Sequence, residues 1–279
     1  MESLDGRRAS FVYSGSAEED LFFRSVIARY AAYPNVVWDY AKEAQRQNNL
    51  NQKLARLRFI KENDPYQRLR TIHDDTPSNL EGHYDDLLDY RTDQHHRAWR
   101  QTILSQRERR SWPVINAEFG YEHGPEGPDD VTYRVAQSPE EVVRRAWEIS
   151  LAGGYGAYYY TYTAWDVIRT EDTPPGYGYF RNLRDFFEGT SYWRMEPTEG
   201  LVSSGYCLAE KGREYVVFLN NAEPFTLKLE QLQQPLSAEW YHPHTGERRP
   251  AGTLEEGTAS LEPPAEWGDD PVALRAVAE

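Results

Sequence analysis

Glu43 and Glu118 are the residues of this 279-residue chain best placed by their neighbours to do chemistry. Glu43 closes the stretch NVVWDYAKE (Asn35 to Glu43), and Glu118 sits in WPVINAEFGYE (Trp112 to Glu122). Each follows a short run rich in Val, Ile or Trp that reads as a buried strand. Each therefore falls where a strand of a parallel sheet hands over to a loop. Two carboxylates at the C-terminal ends of parallel barrel strands suit glycoside hydrolysis: one donates a proton to the leaving oxygen, and the other attacks the sugar carbon or activates water. The competing reading is two ordinary loop glutamates held in salt bridges.

Positioning these carboxylates requires a parallel sheet, and the pattern of the chain predicts one. Residues 18–33 read as an amphipathic helix with Leu21, Phe22, Val26 and Tyr30 near helical spacing, ended by Pro34. After the NVVWDYA strand, residues 44–63 read as a helix with Leu50, Leu54, Leu57 and Ile60 spaced by three or four. Residues 69–75 and 87–92 are short strand candidates, followed by a helix to about Arg110 and by the strand PVINAEF. Ser138 with Glu141 three residues on opens a helix over 138–152 that stops at Gly153-Gly154. The aromatic run at 156–165 reads as a strand, and a last helix covers about 180–189. Alternation of strand and helix across 35–189 is the mark of parallel α/β structure. After Gly189 the helical periodicity ends, and short strands between turn residues predict an all-β sandwich domain. The domains are expected at 1–191 and 192–279.

Composition narrows the function classes. A net charge of −14 argues against nucleic acid and other polyanions, which want clustered Lys and Arg, and is compatible with a neutral sugar polymer. No run of about 18 apolar residues is present, so no membrane span is expected, and MESLDGRRASF lacks the apolar core of a secretory signal. Cys207 is the single cysteine, which leaves a small buried apolar residue as its expected role. His95 and His96 are adjacent and so poorly placed to share a metal. No metal or cofactor is expected. HPHTGE (242–247) reads as a turn with Gly246 at positive φ. The 20 Tyr and 8 Trp can pack cores or stack on the apolar C–H faces of sugars. The oligomeric state is left open.

At these residues the chain resembles the C-terminal part of a clan A glycoside hydrolase barrel, most closely the apiosidase-like family. NVVWDYAKE is similar to the clan's fourth strand ending in the acid/base Glu. PVINAEFGYE is similar to its seventh strand carrying the nucleophile. LAGGYGAYYYTYTAW resembles the entry into strand eight, and the tail from WRMEPTEG through WYHPHTGE resembles the domain named "putative collagen-binding". Residues 1–191 supply about five of the eight βα units of a full barrel, so the resemblance implies a (β/α)8 TIM barrel lacking its first strands, followed by a β-sandwich. It also implies retaining hydrolysis of a glycosidic bond in a polysaccharide side chain, with Glu118 as nucleophile and Glu43 as acid/base. His73 and Asp74, ending the candidate fifth strand, then bind a sugar hydroxyl or tune Glu118, or else serve only structure. Tyr121 and Glu122 hydrogen-bond Glu118 or the substrate. Trp165 is the expected sugar platform and Asp166 a hydroxyl ligand. The chain departs from the clan at Lys42, where an Asn commonly binds the sugar 2-hydroxyl. A non-catalytic carbohydrate-binding or structural role is the alternative expectation.

Overall fold

The structure, a computed structural model, describes residues 15–40, 42–44, 49–74, 83, 85–125, 127, 136–163 and 173–278. It divides into two compact units, residues 1–94 and 95–279.

In the first unit, helices α1 (Ala17–Tyr30) and α2 (Leu50–Asn63) accompany the strands β1 (Trp38–Tyr40), β2 (Arg70–Asp74) and β3 (Arg91–Asp93). The Ser16 hydroxyl accepts from the Glu19 amide at 3.2 Å and starts α1, as an N-cap should. The strands run parallel, β1 on β2 in the register Trp38↔Arg70 and β2 on β3 in the register His73↔Thr92. Helix α1 corrects one expectation. Leu21 (66% exposed), Phe22 (54%) and Tyr30 (45%) face solvent, while Ile27 and Ala31 are buried. Two stripes one residue apart compete on this helix. The winning stripe puts Phe23 near Phe59 and Tyr40, each at 6.3 Å, and leaves Glu19 and Asp20 to pair with the buried Arg56. Trp38 and Tyr40 point the same way: the Trp38 indole donates to Asp64 at 2.8 Å. Two apart on the strand, they share a face, and they serve packing.

The second unit opens with α3 (Trp99–Arg109), β4 (Val114–Asn116), β5 (Tyr121–Glu122), β6 (Ala136–Gln137), α4 (Pro139–Leu151), β7 (Tyr155–Gly156) and α5 (Pro175–Glu188). Helix α4 begins and ends where its signals place it: Ser138 caps the Glu141 amide at 3.2 Å, and Gly153 takes φ 74°. The aromatic run after it departs from expectation. Among the described residues of the expected strand over 156–165, β7 pairs with β4 only at Ile115↔Tyr155 and Asn116↔Gly156, and a single bridge joins Tyr160 to Glu122; residues 164 and 165 lie outside the described residues. Between these the ladder breaks opposite residues 117–120, the loop that carries Glu118.

The chain then turns to antiparallel β structure. Strands β8 (Glu196–Pro197), β9 (Tyr206–Glu210), β10 (Glu214–Leu219), β11 (Phe225–Leu229), β12 (Leu236–Tyr241), β13 (Arg248–Leu254), β14 (Gly257–Leu261) and β15 (Val272–Ala278) follow. Six of them make a sheet in the order β13-β12-β15-β10-β9-β8, and β11 pairs with β14. A mixed α/β region thus precedes a β-sheet domain. Every residue of β10 is buried because both faces of the sheet are covered. Tyr215, Val217 and Leu219 pack with Phe225, Leu227 and Leu261 of the β11–β14 pair. Val216 and Phe218 pack with Val143, Trp147 and Leu151 of α4 and Phe186 of α5. The Trp147 ring stacks on Phe218 at 5.2 Å and 7°. Cys207 is buried, and its thiol is pushed up to about 12 by burial. The HPHTGE turn forms as expected, with Gly246 at φ 74° and its amide on the His242 carbonyl at 2.8 Å. Among the described residues no helix is long and apolar enough to cross a membrane, and no group of His, Cys, Asp or Glu is arranged to hold a metal.

Candidate active site

Within the first unit, Glu43 lies just beyond the C-terminal end of β1, half-buried, and takes φ 53°. A non-glycine side chain in this left-handed region crowds the following carbonyl and costs roughly 1–2 kcal/mol. Such strain persists where the surroundings over-determine it, commonly at functional positions. Gln94 Nε2 donates to Glu43 Oε1 at 3.4 Å. Lys42 beside it is exposed. His73 and Asp74 occupy the C-terminal end of β2 and are both buried, in register with Thr92 and Asp93 of β3. They therefore sit at the same end of the parallel strands as Glu43.

In the second unit Glu118 follows β4 by two residues and is 3% exposed. Its placement is made by side chains. Asn116, fully buried at the end of β4, donates from Nδ2 to the His95 carbonyl at 3.0 Å and accepts at Oδ1 from the His95 and Glu118 amides at 3.3 and 3.2 Å. One amide thus ties the segment before α3 to the backbone of the glutamate. Arg145 donates to the Phe119 carbonyl at 3.0 Å and anchors the next residue to α4. The Tyr121 hydroxyl donates to Glu118 Oε2, and the Tyr121 ring lies 5.2 Å from Tyr159 and 6.3 Å from His96. Such a donor orients the carboxylate.

Glu122 is placed differently. At 1% exposure its carboxylate accepts from the Tyr158 hydroxyl at 2.6 Å and from the Gly176 amide at 3.3 Å, so it caps the N-terminus of α5. Burial holds this carboxyl above the ordinary range, against the pull of Tyr158 and Gly176. The Tyr158 hydroxyl is in turn driven up by burial and by Glu122. Trp165 and Asp166 lie outside the described residues. The sequence reading missed Asn116. An Asn as the last residue of a strand, two before a candidate carboxylate, was the available signal.

Comparison with known proteins gives the class first. The chain is similar to a solved glycoside hydrolase family 5 protein from Bacteroides vulgatus ATCC 8482 at 17% identity and TM-score 0.76, covering 93% of this chain and 66% of that one. It is also similar to a second solved glycoside hydrolase, at 17% identity and TM-score 0.74, covering 93% of this chain and 68% of that one. At these identities the likeness shows the fold: that of glycoside hydrolases. The chain spans about two thirds of the length of these relatives. No curated protein matches it. Residues 10–203 match the family described as "Apiosidase-like, catalytic domain", and the chain belongs to that family. Residues 199–274 match the "Putative collagen-binding domain of a collagenase", so both parts of the expected architecture are present.

Proposed function

We propose that this chain is a retaining glycoside hydrolase acting on polysaccharide side chains, with Glu118 as nucleophile and Glu43 as general acid/base. In this reading the parallel strands belong to a (β/α)8 barrel over residues 1–191, and the β-sandwich follows from 192. The observation that carries it is Glu118: a carboxylate buried at a strand's C-terminal end, fixed through Asn116 and Tyr121, in a chain of the apiosidase-like family. Glu118 attacks the anomeric carbon while Glu43 protonates the departing oxygen. Glu43 then deprotonates the water that releases the sugar, with net retention. Tyr121 positions the nucleophile. His73 and Asp74 bind a sugar hydroxyl or tune Glu118, Trp165 is the sugar platform and Asp166 a hydroxyl ligand, and Glu122 acts through Tyr158 and α5.

The retaining route requires the two carboxyl groups to stand roughly 5–5.5 Å apart in the substrate complex. The test is turnover of a panel of aryl glycosides and branched neutral polysaccharides by wild type, Glu118→Gln and Glu43→Gln. Glu118→Gln loses about 10³-fold or more in kcat/KM. Glu43→Gln loses most with poor leaving groups and least with activated ones, because only the former need a proton. NMR of the first product formed shows the retained anomer. A folded Glu118→Gln that turns over as wild type, or an inverted product, overturns the mechanism. One other reading is a non-catalytic carbohydrate-binding or structural protein. That reading predicts sugar affinity without turnover in wild type.

A further inference from the structure

A cleft of about 660 Å³ opens in the second unit at the opposite end of the strands from Glu118. Trp112 and Pro113, which precede β4, and Gly153, which precedes β7, form its floor. Glu118 lies beyond the other end of β4, six residues on from Trp112, a span of at most ~20 Å. A molecule seated in the cleft therefore faces away from the candidate nucleophile.

The walls of the cleft are aromatic and open. Trp193 is 76% exposed, although tryptophan is on average among the well-buried residues. Its exposure is built in. It sits in the single turn Tyr192–Arg194, and the Tyr192 hydroxyl beneath donates to the carbonyls of Ser150 and Gly154 at 3.0 and 2.6 Å. Met195 on the other side is buried. The turn is pinned at both ends and its indole projects outward. Tyr155 is 47% exposed, with its ring set edge-on to Tyr192 at 5.5 Å and 72°. Around these rings stand hydrogen-bonding groups. Arg107 donates to the Gly153 carbonyl at 3.0 Å and pairs with Glu196, and Ser111 and Glu108 line the rim.

We infer that this cleft is a second carbohydrate-binding site, separate from the catalytic one, that takes a neutral glycan chain. Pyranose rings present apolar C–H faces that stack on aromatic platforms and an equator of hydroxyls that needs donors and acceptors at the platform's edge. Trp193 and Tyr155 supply the first, and Arg107, Glu196 and Ser111 the second. Charge selects the class. The lining carries one cation, Arg107, already paired, against the carboxylates Glu108 and Glu196, so an acidic glycan finds no counter-charge. A protein partner would want a contiguous apolar centre, whereas charged groups interrupt this one. The choice of a glycan as occupant rests on the carbohydrate reading above; the geometry of the cleft does not.

The test is affinity electrophoresis of the full chain through gels containing xyloglucan, galactomannan or arabinogalactan, with polygalacturonate and soluble collagen as the acidic and protein comparators. At least one neutral polysaccharide retards wild type and Glu118→Gln equally, Trp193→Ala weakens that retardation at least tenfold, Tyr155→Ala weakens it less, and Trp193→Phe keeps most of it. Thermal melting of Trp193→Ala matches wild type, because the indole it removes is exposed. Retardation by no neutral polysaccharide, by polygalacturonate or collagen alone, or unchanged retardation of Trp193→Ala overturns the proposal. So does binding lost in Glu118→Gln and kept in Trp193→Ala, which places the glycan at the catalytic carboxylate. Trp193-dependent binding without hydrolysis sinks only the catalytic reading.

Discussion

The two glutamates differ in their backbones and in the units around them. Glu118 is held by side chains: a buried asparagine fixes its backbone, a tyrosine its carboxylate, and an arginine the next carbonyl. The unit around it buries both faces of a six-stranded sheet. Glu43 takes a left-handed backbone after a three-residue strand, with the Gln94 side chain donating to its carboxylate. Its unit leaves Leu21, Phe22, Tyr33, Val37, Tyr66 and Leu69 exposed. Among the described residues β1 lies at the edge of its sheet, paired only with β2. A nucleophile must be fixed along one line of attack, whereas an acid/base must serve two steps, first giving and then taking a proton. The contrast fits the roles proposed for the two.

The largest test of that contrast is Trp147→Ala. The indole fills the space between α4, α5 and the sheet, in contact with Phe186, Phe187 and Phe218. Its removal costs about 3–5 kcal/mol, read by chemical denaturation. A loss under about 1 kcal/mol would show that the second unit does not depend on its two-sided core. Next comes a pair in one helix. At Gly176 of α5 an added Cβ would fall 1.8 Å from Glu122 Oε2 and 2.7 Å from the Tyr158 ring, whereas at Gly178 it meets nothing. Gly176→Ala is expected to cost about 2 kcal/mol by displacing the capping carboxylate. Gly178→Ala is expected to gain about 0.5–1 kcal/mol. Equal effects would remove Glu122 as the organiser of the helix start.

Glu122 also carries a pH signature. Its carboxyl is raised by burial above its ordinary 4.5, so the folded state binds this proton more tightly than the unfolded chain does. The advantage is complete below 4.5 and is lost as pH rises through the raised value. Stability of wild type relative to Glu122→Gln is expected to fall across that interval and level off above it. A rise across it would contradict the burial argument.

Legibility in the sequence followed the physics of each element. Helix α4 was readable to within a residue because Ser138 and Gly153 act locally, through a cap and a positive φ. Strand β10 is readable because its apolar run is covered on both faces. A mostly exposed strand such as β13 leaves little signal, because it needs little apolar patterning. On α1 two stripes one residue apart gave the periodicity no way to choose; Phe59 and Tyr40 chose, and they come from distant sequence. Residues 156–165 read as a strand from aromatic content, but what decides the path of residues 157–161 is where Asn116 and Glu122 offer carbonyls to the amides of Ala157 and Thr161. The glutamates themselves stood out as carboxylates at strand ends. What fixes them did not, because Asn116 acts by bridging to His95, a partner 21 residues away.

The smallest expected effect tests the backbone half of the comparison. If Glu43 is held in place at a conformational cost, Glu43→Gly relieves it, since glycine adopts positive φ freely. Part of that gain is cancelled because glycine also loosens the unfolded chain. The net expectation is a protein about 0.5–1 kcal/mol more stable than wild type, with turnover lost along with the carboxylate. Glu43→Gln separates the two consequences: it keeps a side chain at φ 53° and removes only the charge, so its stability stays within about 0.5 kcal/mol of wild type. Parallel urea titrations of the three proteins, with unchanged slopes, read the difference. Were Glu43→Gly no more stable than Glu43→Gln, the left-handed turn would carry no strain, and Glu43 would owe its position to its hydrogen bonds, as Glu118 does.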